Sequence, residues 1–162
     1  MQELLEEDLE FFQKELGLKG VYQIFSYWNS PSYPGFMGKR QGVAIFAEGI
    51  VDSGAVFYTG KEENILKSFD EYISNESFQE NRALVCVDVS DSSGNIFRFV
   101  SVQLPVTSKG ESTPYQLEVI DLLTRELNKL GEFILCGDMN APRGNESFTR
   151  LARNYRLYIF FS

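Results

Sequence analysis

Histidine is absent from all 162 residues, and this removes a large part of the usual catalytic repertoire. Imidazole acid–base catalysis, a Ser-His-Asp triad and histidine-ligated zinc are excluded within this chain. Any metal would be held by oxygen ligands, a preference that points to magnesium, manganese or calcium. Cysteine is scarce too: Cys86 and Cys136 are the only two. Both fall in apolar, strand-like segments, so core packing is expected of them and a disulfide framework is not. No apolar run approaches the ~18 residues of a membrane-spanning helix. The opening residues, Met-Gln-Glu-Leu-Leu-Glu-Glu-Asp, lack the basic start and apolar middle of a secretory leader. The expectation is a cytoplasmic protein with no membrane partner, and the sequence names no protein partner. Positive charge is in deficit, with 15 Lys and Arg against 23 Asp and Glu and a net charge of -8. A chain of that sign repels a polyanion overall, which disfavours tight nonspecific DNA binding and leaves only local basic patches around Lys39-Arg40 or Arg143.

What is present suits one ordinary domain, with 43% hydrophobic and 14% aromatic residues. The most informative stretch runs from Gly131 to Gly144. Phe133 to Cys136 form a continuous apolar run, as expected of a strand buried on both faces, and Gly137, Pro142 and Gly144 end it. With the backbone extended through Met139, Asp138 and Asn140 would project to the same side and meet one ligand. A carboxylate that orients or deprotonates water, beside an amide that donates to a phosphoryl oxygen, suits phosphate ester hydrolysis. The competing reading is a simple turn, since Asp and Asn bond nearby backbone and tolerate unusual dihedrals.

Elsewhere the pattern alternates between helix and strand. Residues 2 to 16 read as an amphipathic helix with Leu5, Leu9, Phe12 and Leu16 on one stripe and Gly17 as its stop. Val21 to Tyr27 read as a strand, followed by an aromatic, Pro- and Gly-rich loop from Trp28 to Arg40. Gly42 to Ala47 and Ile50 to Tyr58 read as a hairpin through Glu48-Gly49, and Arg82 to Val89 with Ile96 to Gln103 as a second hairpin. Glu62 to Ser74 has helical spacing. Thr113-Pro-Tyr-Gln116 is the strongest helix start, with Thr113 as N-cap, Pro114 at the first position and Gln116 as capping-box partner. Leu117, Ile120, Leu123, Leu127 and Leu130 give that helix its stripe. Asn145 can cap a last helix with Phe148, Leu151, Ala152 and Tyr155 facing inward. This order predicts an α+β fold of largely antiparallel sheets covered by helices.

Taken in order, these segments resemble the endonuclease/exonuclease/phosphatase superfamily of DNase I-like, metal-dependent phosphoesterases. Gly137-Asp-Met-Asn-Ala-Pro142 matches its Gly-Asp-x-Asn signature, Gly42-Val-Ala-Ile-Phe46 its central Gly-hydrophobic strand, and Gln2-Glu3 its Gln-Glu motif. The resemblance implies a four-layer αββα sandwich over residues 1–155, with an atypical apolar tail at 156–162. It also implies Mg²⁺ or Mn²⁺ held by Glu3, and a phosphoester substrate, whether small molecule or nucleic acid. Asp138 and Asn140 would be catalytic, with Gln103 and Arg143 contacting substrate. Gln103 stands where the family usually carries a histidine, and no Ser-Asp-His segment follows Tyr155. The family's asparagine-bearing strand before the Gln-Glu motif has no counterpart either. The expectation is therefore an incomplete version of the fold with impaired hydrolysis, and the alternative is a noncatalytic domain or gene fragment that retains the fold.

Overall fold

The computed structural model describes residues 4–28, 34–62, 81–153 and 155. Glu3, part of the loop expected at Trp28 to Arg40, most of the helix expected at Glu62 to Ser74 and the apolar tail lie outside the described residues. Two sheets form the centre. β1 (Leu4–Leu5), β2 (Lys19–Tyr27) and β3 (Arg40–Ala47) make an antiparallel sheet in the order β1-β3-β2. β4 (Ile50–Thr59), β5 (Arg82–Ser90), β6 (Ile96–Gln103) and β7 (Ile134–Asp138) make the other, antiparallel up to β6, with β7 parallel to it. β2 lies over β4 and β5, and β3 over β5 and β6. The central strand β5 shows why the sheets stack. Ala83, Val85 and Val87 turn to one face and join Phe25 and Val43 between the sheets, while Leu84 turns to the other. That is the two-residue period of a strand covered on both sides.

The outer layers are helical. α1 (Leu9–Leu16) packs on the β1-β3-β2 sheet, where Gln13 Oε1 accepts a hydrogen bond from the Gly20 N–H at 3.0 Å and Phe12 meets Phe46 at 6.2 Å between ring centroids. α2 (Pro114–Leu127) buries Val119, Ile120, Leu123 and Leu127 against Leu84, Val100, Val102 and Leu104, with α3 (Glu146–Ala152) adding Leu151. The layers run α1, sheet, sheet, α2 with α3: the chain is a mixed α+β sandwich. Thr113 Oγ1 accepts from the Gln116 N–H at 3.1 Å with Pro114 at the first position, as its sequence predicts. No helix among the described residues is long and apolar enough to cross a membrane.

Four local expectations change. Residues 50 to 59 do not form a hairpin with β3, because the Glu48-Gly49 turn carries the chain from one sheet to the other. The Ser90 N–H donates to Gly49 O at 2.9 Å, tying that turn to the end of β5. An apolar run fixes a strand but not its neighbour. The first helix starts only at Leu9, because Leu4 and Leu5 pair with Gly42 and Gln41 instead, and Leu16 is left exposed. Among the described residues, the β7 strand is covered on one face rather than two. Register places Ile134 and Cys136 on the face shared by Phe99 and Ser101, where β2 and β3 lie over β4 to β6. Ile134 is consequently 48% exposed and Cys136 is exposed, whereas Cys86 is half-buried. Finally, Asn145 makes no side-chain cap for α3, its carboxamide donating to Gly110 O instead.

Candidate functional site

The parallel strands β6 and β7 end side by side, with Gln103 in register with Asp138 and the Leu104 N–H donating to Asp138 O at 3.0 Å. Side chains paired across a sheet share a face, so Gln103 and Asp138 point to the same side of the sandwich. Gly137 makes this approach possible. Its φ is +143°, and a Cβ there would sit 2.0 Å from Val102 O. Gly42 plays the same part in the other sheet, where a Cβ would lie 2.1 Å from Gln23 O. The two glycines of the sequence motifs are therefore requirements of strand packing.

Beyond Asp138 the backbone does not stay extended. Asn140 has a φ of 44°, a left-handed conformation that asparagine tolerates better than most residues. The Asn140 N–H turns back to donate to Asp138 Oδ1 at 2.9 Å, while the Asn140 carboxamide donates to Leu104 O at 2.9 Å. The turn reading of Asp-Met-Asn is thus part of the geometry, and Asn140 braces the carboxylate that precedes it.

One residue beneath this turn was misjudged from sequence. Gln116, read as a capping-box partner, is fully buried, and its Nε2 donates to Pro105 O at 3.1 Å and to Asn140 O at 2.9 Å. Its Oε1 accepts from the Ser147 hydroxyl of α3. Ser147 is bonded in turn to Ser112, whose Oγ accepts from the Ser147 N–H at 2.9 Å. A glutamine three residues after a threonine N-cap signals a capping box by local rule, and nothing local reveals three distant elements around it.

The same end of the sandwich gathers buried polar residues. Ser26, Gln41, Asn81, Arg82 and Gln103 are all at most 9% exposed. The Trp28 indole N–H donates to Gln41 Oε1 at 2.6 Å, and the Arg82 guanidinium lies 5.4 Å from the centre of the Phe25 ring. The Tyr58 hydroxyl donates to Gln103 O at 2.9 Å. Polar groups cluster in this way where a fold supports a site, because each requires a partner. Arg143 lies on the exposed loop after the turn. At the opposite end, a depression of about 200 Å³ is lined by Asp52, Cys86, Asp88, Arg98 and Leu130. There Arg98 forms a bidentate pair with Asp88, both bonds at 2.7 Å, which holds the Asp88 carboxyl below its ordinary range.

Among the described residues no three Cys, Asp or Glu side chains converge as metal ligands, and Glu3 lies outside them. The described residues do not by themselves build a metal centre, and Asp138 brings a single carboxylate already bonded to the Asn140 N–H.

A two-sheet sandwich with helices outside it defines the class: the chain has a DNase I-like α+β fold. No protein-family model and no curated protein matches the sequence. Among solved structures it is similar to the human Nocturnin catalytic domain with bound sulfate, at 19% identity and a TM-score of 0.65, covering 93% of this chain and 54% of that one. It is also similar to truncated TDP2 from Caenorhabditis elegans, at 12% identity and a TM-score of 0.51, covering 88% of this chain and 48% of that one. The chain therefore spans about half the length of these structures.

Proposed function

We propose that the end of the sandwich around Asp138 is a phosphoester-hydrolysing site. The observation that carries this is Asp138 itself, held at the carboxyl end of β7 beside Gln103 and bonded by the Asn140 N–H at 2.9 Å, within a DNase I-like fold. A carboxylate fixed in this way can orient or deprotonate an attacking water. Asn140 contributes by holding that carboxylate and the turn around it. Gln103 and the exposed Arg143 are the substrate-contacting candidates, the amide offering a hydrogen bond and the guanidinium a charge for a phosphoryl oxygen. Glu3 is the proposed metal ligand, and Mg²⁺ or Mn²⁺ there would neutralise charge on the scissile phosphate.

The net charge of -8 favours a small phosphoester over long DNA as substrate, and steep salt-dependent DNA binding would reverse that ranking. The Nocturnin structure's bound sulfate, an anion of phosphate-like shape, is consistent with an oxyanion site in this fold. A cytoplasmic location belongs to the same proposal and rests on the two free thiols.

Impaired activity of this chain is a second part of the proposal, supported by the absence of histidine. On this reading hydrolysis by these residues is weak, in the limit absent, as in a noncatalytic domain that keeps the fold. The test is Mg²⁺-dependent hydrolysis of bis(p-nitrophenyl) phosphate by the purified chain beside Asp138→Ala. A rate at least tenfold above the variant supports the Asp138 site. Equal rates from two folded samples refute hydrolysis and leave the noncatalytic reading.

A further inference from the structure

We propose that Gln116 is a positioning residue that sets the conformation of the Asp138–Asn140 turn through the Asn140 carbonyl. The proposal rests on the site reading above and deepens it by naming what holds the site in shape. Asn140 occupies a left-handed conformation at φ 44°, which persists only when its surroundings over-determine it. The surroundings are specific. The Asn140 N–H donates to Asp138 Oδ1, its carboxamide donates to Leu104 O, and its carbonyl accepts from Gln116 Nε2 at 2.9 Å. Those three bonds fix both peptide planes and the side chain of Asn140, and Gln116 is the only contributor among them from a helix.

The remaining bonds of Gln116 explain why a glutamine serves. Its second amide hydrogen reaches Pro105 O at 3.1 Å, so one carboxamide fastens the loop after β6 to the turn after β7. Its oxygen accepts from Ser147, anchoring α3 to the same point. Gln116 itself has no exposed surface, and its bonds to Pro105 O and to the Ser147 hydroxyl are made away from water. Methionine would fill the volume and make none of them. Glutamate would keep the acceptor for Ser147 and place a carboxylate against two carbonyl oxygens, a repulsive arrangement.

The test is NMR on the full chain. In the unmodified protein, a scalar coupling across the hydrogen bond from Gln116 Nε2 to the Asn140 carbonyl carbon is expected, and its absence overturns the contact. In Gln116→Met and Gln116→Glu, hydrogen-exchange protection of the Asn140 amide should fall by about tenfold or more, while Ile120, Leu123 and Leu84 keep theirs within about threefold. Ser147→Ala, which removes the bonds of its hydroxyl to Gln116 Oε1 and to Ser112 Oγ but neither Nε2 bond of Gln116, should leave Asn140 protected. Retained protection at Asn140 in both Gln116 variants, equal losses throughout α2, failure of both Gln116 variants to fold, or release of Asn140 by Ser147→Ala each overturns the proposal. Hydrolysis of bis(p-nitrophenyl) phosphate is followed in parallel. Where the unmodified chain is active, kcat should fall in Gln116→Met with KM unchanged, and a KM effect alone counts against a positioning role. Where it is inactive, the proposed function fails while the exchange data still decide the role of Gln116.

Discussion

Gly137→Ala should be among the most damaging single-methyl additions in this protein, although it adds one carbon to a strand with an exposed face. The new Cβ would lie 2.0 Å from Val102 O and 3.0 Å from Val102 C, both backbone atoms of the neighbouring strand. Ordinary carbon–oxygen contacts require about 3.3 Å, so the β6–β7 ladder would have to open by more than about 1 Å. Widening the nearby Leu104 N–H to Asp138 O bond from 3.0 Å by that amount takes it out of hydrogen-bonding range. One or two lost ladder bonds amount to about 1–2 kcal/mol. Holding alanine at φ +143° adds about 1–3 kcal/mol of strain. The sum is about 2–5 kcal/mol, or roughly 4–20 °C in Tm for a chain of this size. Urea unfolding followed by far-UV circular dichroism measures it, with Gly54→Ala as the control. Gly54 lies in β4, and a methyl added there would meet nothing within 4 Å, so its substitution should stay within about 0.5 kcal/mol. Equal stability losses for the two variants would refute the steric argument and with it the placement of Asp138 against Gln103.

Further perturbations separate the contributions of cap, core and ion pair. Thr113→Ala removes the acceptor for the Gln116 N–H and should destabilise by about 1 kcal/mol in thermal or urea unfolding. Leu123→Ala, at a fully buried position between α2 and the sheet, should lose about 2–5 kcal/mol by the same measurement. The Arg98 hydrogen bonds hold the Asp88 carboxyl below its ordinary 3.8 in the folded chain. A lowered folded value means that this stabilisation is complete above the unfolded value and is lost as pH falls through the folded one. Asp88→Asn should therefore flatten the dependence of the urea midpoint on pH below about pH 4, and an unchanged slope would show that the pair does not form in solution.

The parts of the fold legible from sequence are those governed by neighbours in the chain. The start of α2 follows from Thr113 and Pro114, whose capping geometry spans four residues. The β5–β6 hairpin follows from Asp91, whose carboxylate accepts from the Ser93 and Asn95 N–H groups at 2.8 Å each. The end of β7 was legible because a glycine, an acid and an asparagine follow an apolar run, and Asp138 closes that strand in register with Gln103. What stayed hidden depends on distant partners. The run from Ile50 to Thr59 does not encode that β5, rather than β3, will be its neighbour. The polarity of Gln116 does not encode that Pro105, Asn140 and Ser147 will surround it. Even the Asp-Met-Asn turn carried two readings, because the left-handed residue that decides between them is stabilised by Leu104 and Gln116, far away in sequence.

The two thiols turn the uneven cover of the sheets into a measurement. Cys86 faces the α2 side of β5, where burial raises its thiol above the ordinary 9.0, and the attacking thiolate is correspondingly scarce. Cys136 is exposed on the face of β7 that it shares with Ser101. Under native conditions at pH 8, Ellman's reagent should modify Cys136 in a fast phase of one thiol per chain and Cys86 at least about tenfold more slowly. Cys136→Ser should abolish the fast phase, and Cys86→Ser should leave it intact. Adding denaturant should bring the slow thiol up to the fast one, since both are then equally accessible. A protected Cys136 in the folded chain would mean that this face of β7 is covered in solution, and that the described strands alone do not define the sheet's edge. Equal native rates would instead remove the packing of Cys86 beside Leu84 under α2. Either result bears on the site, because Cys136 and Asp138 lie two residues apart on the same face of the same strand, and whatever covers one will stand beside the other.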